Sequence, residues 1–513
     1  MRIVIALFMA CLTSMSFGQY ADRESNVSDS IKTSYLDELV ISANKIPEQR
    51  RTVAQQVKVI STATIRLFNG QTSADLIQNT GVVAMQRSQQ GGGSPIMRGF
   101  EASRVLLVVD GVRMNNAIYR AGHLQNMITM DNNILDRAEI LFGPSSTVYG
   151  SDALGGVVHF YTKNPELSNG GLQVSGSAFT RFGSANNEKT GHVDFTISGK
   201  RFGSLTSFTY SDFGDLRMGE RKNGALGEDY WVRNQYAERA ADNSSDVLVT
   251  NSDPYLQKFS GYKQYDLLQK FLLKQSDRVE HVLNFQYSTS SNIPRYDRLT
   301  DVQGTGLRSA QWYYGPQERL MTSYQLRIKD FGAMADAFTA TASYQRIEES
   351  RHDRRFNSNN LNHRIENVDV IGVTVDLQKA MNKHKLRYGF DGQFNSLTST
   401  AERENIVTGA ISALDTRYPD GDNRLNYWAL YGTHTLEIND QWTLNDGIRV
   451  GGSSLHSTWV DKTFFPLPYD NVDQKNTYAS GNLGIVFTPT TWKISLMGST
   501  GYRVPNIDDL AKV

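Results

Sequence analysis

The sequence predicts a mainly β protein: an antiparallel β-barrel that crosses a membrane, preceded by a small α+β domain. Three observations carry this. From about Gly171 onward, long segments alternate apolar and polar residues with a period of two. The connections between those segments fall into two sets of very different length. Ahead of them, residues 48–163 hold short apolar runs divided by glycine turns, a compact unit unlike the rest of the chain.

The chain opens as a secretory signal. Arg2 is the positive start, Ile3 to Leu12 is an apolar run of about ten residues, and Ser16-Phe17-Gly18 places small residues at the cleavage positions, so residues 1–18 are expected to be removed. The one cysteine, Cys11, lies inside this segment. The mature chain then has no thiol for a disulfide, a zinc site or a nucleophile. No later segment approaches the ~18 consecutive apolar residues of a transmembrane helix. Lys plus Arg and Asp plus Glu are both 53, so no basic footprint points to nucleic acid. A negative mean hydropathy excludes a helical membrane protein but suits a barrel with a wet lumen.

Residues 19–47 form a leader. Its first part, 19–35, is polar and rich in Ser, Asp and Asn. Leu36 to Ala43 is a β-prone island within it. A lone strand cannot satisfy its own backbone groups, so the island needs either a neighbour in the same fold or a partner protein. In the 48–163 unit, Thr72 or Ser73 can cap a helix with Asp75 in its first turn. Val105 to Val109 reads as a buried strand. Asp110-Gly111 supplies a hairpin turn, and Val112-Arg113-Met114 starts the return strand.

In the barrel region, Val193, Phe195 and Ile197 alternate with Asp194, Thr196 and Ser198. Leu283, Phe285 and Tyr287 do the same with Asn284 and Gln286, and the pattern recurs at Phe338–Tyr344, Ile371–Leu377, Leu386–Phe390 and Leu483–Phe487. These strands run to about ten to fourteen residues, enough to cross a bilayer at a tilt. The tight connections are Phe202-Gly203, Met381-Asn382-Lys383, Asn439-Asp440 and Pro489-Thr490; the long ones are 215–258, 292–316, 350–366, 399–424 and 457–474. Short turns on one side and long loops on the other is the asymmetry of outer-membrane barrels. Aromatic residues near strand ends, as at Tyr427-Trp428, Trp442 and Trp492, suit interfacial girdles. About thirteen strands are expected in 164–513. An up-and-down bacterial barrel closes with an even number, so a C-terminally truncated chain is expected.

These residues resemble the TonB-dependent outer-membrane receptors, in which an N-terminal plug sits in a barrel of about 22 strands. Asp37, Glu38, Leu39, Val40, Ile41, Ser42 and Ala43 look like the energy-coupling TonB box. Met97-Arg98-Gly99-Phe100 and Val108-Val109-Asp110-Gly111-Val112 resemble the central plug motifs. Glu139 to Gly150, with Gly143, Pro144, Tyr149 and Gly150, then Leu154-Gly155-Gly156-Val157-Val158, resemble the closing plug motif. The resemblance implies a Gram-negative outer-membrane location, TonB as periplasmic partner, and active transport of a scarce nutrient. An extended peptide that adds as a strand to its partner can transmit that energy.

Asn115 to Gln125 resembles the plug loop of haem receptors, and Tyr502-Arg503-Val504-Pro505 resembles a box of the same group. Tyr119, Arg120, His123, Tyr502 and Arg503 are therefore the candidate ligand-binding residues, with His123 as an axial imidazole for haem iron. His352 and His363, with Arg351, Arg354 and Arg355, fall in the loop expected at 350–366. The expected cargo is an iron compound, haem or a siderophore; cobalamin is the alternative within the class, and a passive channel or adhesin outside it. No resident cofactor is expected beyond haem as a transported ligand. No G-x-S-x-G elbow or paired carboxylates suggest an enzyme.

Overall fold

The computed structural model describes residues 39–40, 43, 45, 47–120, 127–220, 232–304, 306–489 and 492–512. Its first unit is built on a five-stranded mixed sheet: β1 (Gln56–Ile60), β2 (Val105–Val109), β3 (Val112–Arg113), β4 (Leu135–Phe142) and β5 (Gly156–Thr162), in the order β1-β4-β5-β2-β3. The β5–β2 pair is parallel; the others are antiparallel. Helices α1 (Thr62–Phe68) and α2 (Ser73–Gln78) follow β1. Thr72 caps α2 reciprocally with Asp75, as a capping box. Every residue of β2 is fully buried, as its uninterrupted apolar run required. Asp110 and Gly111 both have positive φ, 49° and 87°, the turn that matches the twist of a tight hairpin.

The second unit is a curved antiparallel wall of thirteen strands in sequence order: β6 (Gln173–Gly183), β7 (Glu188–Ser198), β8 (Phe202–Phe213), β9 (Tyr262–Lys274), β10 (Val279–Ser290), β11 (Glu318–Lys329), β12 (Ala337–Arg355), β13 (Asn360–Met381), β14 (His384–Asn405), β15 (Asn423–Glu437), β16 (Trp442–Thr458), β17 (Asn471–Phe487) and β18 (Ile494–Ser499). Among the described residues, β6 and β18 are its edges. The alternation is inside-out relative to a soluble sheet. Val193 and Phe195 are 42% and 40% exposed, while His192 and Asp194, which alternate with them, are buried. Leu283 is exposed and Asn284 is buried. An apolar outer face over a polar inner face is what a lipid-facing wall requires. The inner face is covered by the first unit, which acts as a plug.

Three expectations are corrected. The loop expected at 350–366 is a four-residue connection, 356–359, between two long strands, so His352 and His363 lie on paired strands. The strands are also longer than fourteen residues here, reaching 22 in β13 and β14. The wall rises past the bilayer, and alternation there is polar on both faces because both are wet. The tight turn expected at Phe202-Gly203 falls at 199–201, and Phe202 opens β8. Apart from the four-residue 184–187 turn between β6 and β7, the remaining connections keep the predicted asymmetry. On one side they are short (275–278, 330–336, 382–383, 438–441); on the other, 214–261, 291–317, 406–422 and 459–470 are long.

One carboxylate seats the plug. Asp110 accepts from Thr162 N (2.9 Å) and Thr162 Oγ1 (2.6 Å) within the plug. From the wall it accepts Asn284 Nδ2 (2.9 Å) and Gln286 Nε2 (3.3 Å), and pairs with Lys270 Nζ at 3.0 Å. Burial alone would raise the Asp110 carboxyl, but the Lys270 ammonium and the Thr162 donors outweigh it and hold it below the usual carboxylate range.

Removing one partner of a buried ion pair strands the other charge and costs about 3–5 kcal/mol. Asp110→Asn is therefore expected to loosen the plug, read as lost hydrogen-exchange protection over 105–113 in detergent micelles; unchanged protection rules the seat out. A depressed carboxyl stabilises above its unfolded value of about 4 and loses that contribution as pH falls below it. Wild-type protection should hold at neutral pH and decline below about pH 4. On the outer face, Ile371→Arg should cost about 2–4 kcal/mol of folding stability in lipid, measured by denaturant titration in vesicles.

Candidate functional site

The plug has two ends. Gln90 Nε2 donates to Gly214 O (2.9 Å) and Ser260 O (3.0 Å) of the 214–261 connection. Ile507 N donates to Ala117 O at 3.0 Å. Residues 86–91, 115–120 and 127–131 thus lie at the long-loop end. Residues 43, 45 and 47–55 lie at the short-turn end, where Lys493 Nζ donates to Arg50 O (3.0 Å) and Ala54 N donates to Asn445 Oδ1 (2.7 Å).

At the long-loop end a crevice of about 430 Å³ opens between the plug loop 87–91 and the wall. Gln89, Gln90, Gln257 and Ser260 supply neutral hydrogen-bonding groups; Phe213, Tyr262 and Tyr296 supply aromatic surface. Its charges are paired: Asp75 with Arg87 at 2.7 Å, and Asp297 with Arg295 at 2.9 Å. Two buried polar atoms of residues in its lining, Gln89 Nε2 and the Tyr262 hydroxyl, have no partner among the described residues. Buried polar groups are ordinarily satisfied, so these two are unused hydrogen-bonding capacity beneath the crevice surface. Gly91 makes room for the hydroxyl, because a Cβ there would lie 2.1 Å from it.

The candidate ligand residues are placed as follows. Tyr119 is buried, and its carbonyl accepts from Asn506 Nδ2. Arg120 is buried too, donates to Ile118 O at 3.1 Å, and lies 3.8 Å from Glu349 and 3.9 Å from Asp508. Burial pulls against the Arg120 charge, but Tyr418, Glu349 and Asp508 outweigh it and raise the guanidinium. Tyr502 stacks on Tyr478 at 4.2 Å and accepts from Arg449 Nε at 3.2 Å; Arg503 pairs with Asp509. The structure thus brings Tyr119 and Arg120 against the segment that follows Arg503, packed away from the crevice. His123 lies outside the described residues.

The plug motifs form the seat and frame. Arg98 Nη2 donates to Gln56 Oε1 at 2.6 Å and covers the Phe142 ring; Gly99 turns the chain into Phe100–Glu101. Gly143 N donates to Gly155 O at 3.0 Å, and Pro144 packs beside Gly501. Gly156 has φ 150° and a Cβ there would sit 2.1 Å from Leu141 O, so only glycine fits. A Cβ at Gly150 would meet the Arg449 guanidinium at 2.8 Å. Gly111 N donates to His159 Nε2 at 3.1 Å, which leaves the ring proton on Nδ1, facing the Tyr149 hydroxyl at 3.2 Å. Burial pushes the His159 imidazole down to about 4, so it stays neutral.

At the short-turn end, Leu39 and Val40 pair with Gln49 and Glu48 in a two-residue antiparallel ladder. Ala43 is buried; Asp37, Glu38, Ile41 and Ser42 lie outside the described residues. Glu48 pairs with Arg387, both almost fully buried, and Lys45 lies 3.5 Å from Asp376. Lys270, Arg387, Arg449 and Asp391 were missed in the sequence. Their one signal is a charge at an inward position of an alternating strand, where a wet lumen would place one as readily.

Comparison with known proteins agrees with this architecture. The TonB-dependent Receptor Plug Domain model matches residues 49–157, and the TonB dependent receptor-like, beta-barrel model matches 268–512. A 146-residue stretch is 34% identical to the vitamin B12 transporter BtuB of Vibrio vulnificus (strain CMCP6), covering 28% of this chain and 23% of that protein. The fold is similar to that of the copper transporter OprC (TM-score 0.67, 13% identity, 85% of this chain and 61% of that one). It is also similar to the siderophore receptor PiuA from Acinetobacter baumannii (TM-score 0.63, 15% identity, 93% and 68%). At such identities the likeness is one of fold, and the chain spans less than two thirds of the copper transporter's length. The two matched regions together cover well over half of the 513 residues, and the chain belongs to the TonB-dependent receptors, plug-and-barrel proteins of the Gram-negative outer membrane.

Proposed function

We propose that this chain serves energy-coupled uptake of a scarce iron compound, haem or a siderophore, with TonB as its periplasmic partner. The observation that carries the proposal is the end-to-end polarity of the plug. The crevice is at one end, and residues 39, 40, 43 and 45 are at the other, tied to the start of the plug by a two-residue ladder and to the wall by adjacent ion pairs. The coupling residues are Asp37, Glu38, Leu39, Val40, Ile41, Ser42 and Ala43. Ligand binds at the long-loop end, TonB adds as a strand at the other, and traction opens a path along the lumen. The family is one of transporters and receptors rather than enzymes; in this reading the plug residues bind, seat and release.

A second reading, cobalamin as cargo, is favoured by the stretch similar to a vitamin B12 transporter. The paired charges of the crevice suit such an uncharged, amide-rich ligand as well. Haem and cobalamin are separable by titrating the receptor with each: haem binding shifts the Soret band, and cyanocobalamin is followed by equilibrium dialysis.

Deleting residues 37–43 should abolish concentrative uptake in cells while leaving surface binding unchanged. Persistent uptake would falsify the coupling role. Gln89→Ala should weaken surface binding by about tenfold or more, some 1.4 kcal/mol, without altering protein level in the membrane. Equal binding by the variant and the parent places the ligand elsewhere.

A further inference from the structure

The described lining of the crevice holds three charged side chains, Asp75, Arg87 and Asp297. They are not equally committed. Asp297 is held by the planar fork of Arg295, with Nε 2.9 Å from Oδ1 and Nη2 3.2 Å from Oδ2. The same guanidinium lies over the Trp312 ring, 4.8 Å from its centre. Arg87 meets Asp75 differently. Its Nη1 lies 2.7 Å from Asp75 Oδ1, and its Nε and Nη2 have no partner among the described residues. A guanidinium carries five N–H donors in a rigid fork, so most of the capacity of Arg87 is idle. The two side chains are 28% and 27% exposed, and an ion pair in contact with water contributes little to stability.

Asp75 has a second task. Its other oxygen, Oδ2, accepts from Thr72 N (3.0 Å) and Thr72 Oγ1 (2.8 Å) and so closes the capping box of α2. A carboxylate in the first turn of a helix is also favoured by the helix dipole. When Arg87 leaves, Asp75 therefore keeps two donors. The joints of Asp110 with Lys270 and of Glu48 with Arg387 are the opposite case, because loss of one buried charge there strands the other. The backbone beside Arg87 is held by the wall: Gln90 Nε2 donates to Gly214 O and Ser260 O, and Asp297 N donates to Ser88 O at 3.4 Å. Of the three charges, Arg87 alone can change partner at small cost while its loop stays in place.

We infer that Arg87 is the anchor of the crevice for a carboxylate group of the cargo, and that the Asp75 carboxylate is its resident partner until cargo arrives. The inference rests on the reading that cargo binds at the long-loop end, and adds the chemical class: a carboxylic acid rather than an uncharged compound. A carboxylate meets Nε and Nη2 side on, in a two-bond fork that a lysine does not reproduce. The exchange replaces one carboxylate by another, with no proton transferred and no covalent bond changed. Its gain lies in the concavity, where water is thinned and a charge-assisted hydrogen bond is stronger than on an open surface. The Asp297 carboxylate does not repel the newcomer strongly, because Arg295 already neutralises it at both oxygens.

The test uses the receptor in detergent with haem, ferric citrate, haem dimethyl ester and cyanocobalamin, the last two having no free carboxylate. Haem or ferric citrate should bind, and Arg87→Gln should weaken that binding about 10- to 100-fold, the worth of a hydrogen bond to a charged group. For haem, esterification should cost as much as the substitution, and Arg87→Gln should bind the ester no worse than the parent does. Asp75→Asn keeps an acceptor for the α2 cap and frees Arg87, so it should tighten binding of the acid; a variant that only loosened the fold would weaken it. Equal binding of haem and its ester, an Arg87→Gln loss as large for the ester as for haem, binding of cyanocobalamin alone, or binding of none of the four overturns the anchor. Concentrative uptake is measured separately. Uptake that survives deletion of residues 37–43 sinks the coupling role and leaves the anchor standing.

Discussion

The plug stays in the wall because charges that water would otherwise solvate are satisfied across the interface. Asp110 is the centre of this. It sits at the tip of a hairpin whose turn forces the carboxylate outward, and it collects donors from β5 of the plug and from β9 and β10 of the wall. Lys270 reaches the same point and also donates to Thr162 O and Asn164 Oδ1. Neither charge has another ionic partner within 4 Å among the described residues. Such a joint is therefore specific in position: sliding the plug by one strand spacing would bury both ions unpaired, a cost that far exceeds the gain of any generic polar contact.

The same logic repeats towards the short-turn end. Arg449 bridges Asp391 of the wall and the carbonyl of Val148, and a bare Gly150 lets the guanidinium approach. Arg113, fixed within the plug by the Ser151 carbonyl and Asp152, lies 5.1 Å from the centre of the Tyr427 ring of the wall. The interface is mixed: beside these charges, apolar clusters cross it, Leu205 and Leu268 of the wall with the plug's own core of Val105, Leu107 and Ile140, and Ala117 and Ile118 of the plug with Val368, Val370 and Leu397 of the wall. The apolar contacts hold the plug without fixing its position, and the directional charged contacts fix it.

Much of this was legible in the sequence. Alternation read the wall correctly because lipid enforces one apolar face on every strand, and the continuous run Val105–Val109 read the plug core because it is buried on both faces. The capped helix at Thr72 and the Asp110-Gly111 turn were visible because short polar side chains and positive φ leave local marks. What failed has a physical reason. Above the bilayer both faces of β12 and β13 meet water, so Arg351 to Arg364 reads as loop although it forms continuous ladder. Tyr119 and Arg120 read as a loop tip, and their burial comes from Asn506 and Ile507, nearly four hundred residues away, where no local pattern can report it. The crevice was unreadable for the same reason: its lining comes from the plug and three separate wall segments.

The contrast between the two ends bears on the order in which the molecule yields to traction. At the short-turn end, the described part of the coupling segment is held by two ladder residues, Lys45 beside Asp376, and Glu48 with Arg387. Behind it, β1 is the edge strand of the plug sheet, paired only with β4. An edge strand pulled from its end opens one ladder bond at a time, whereas shearing the β2–β5 centre would break many at once. On the coupling role proposed for residues 37–43, force applied there reaches β1 before it reaches Asp110. A plug arranged this way would yield first along its β1 side while the Asp110 joint keeps the remainder in register, and a path would open without expelling the whole domain.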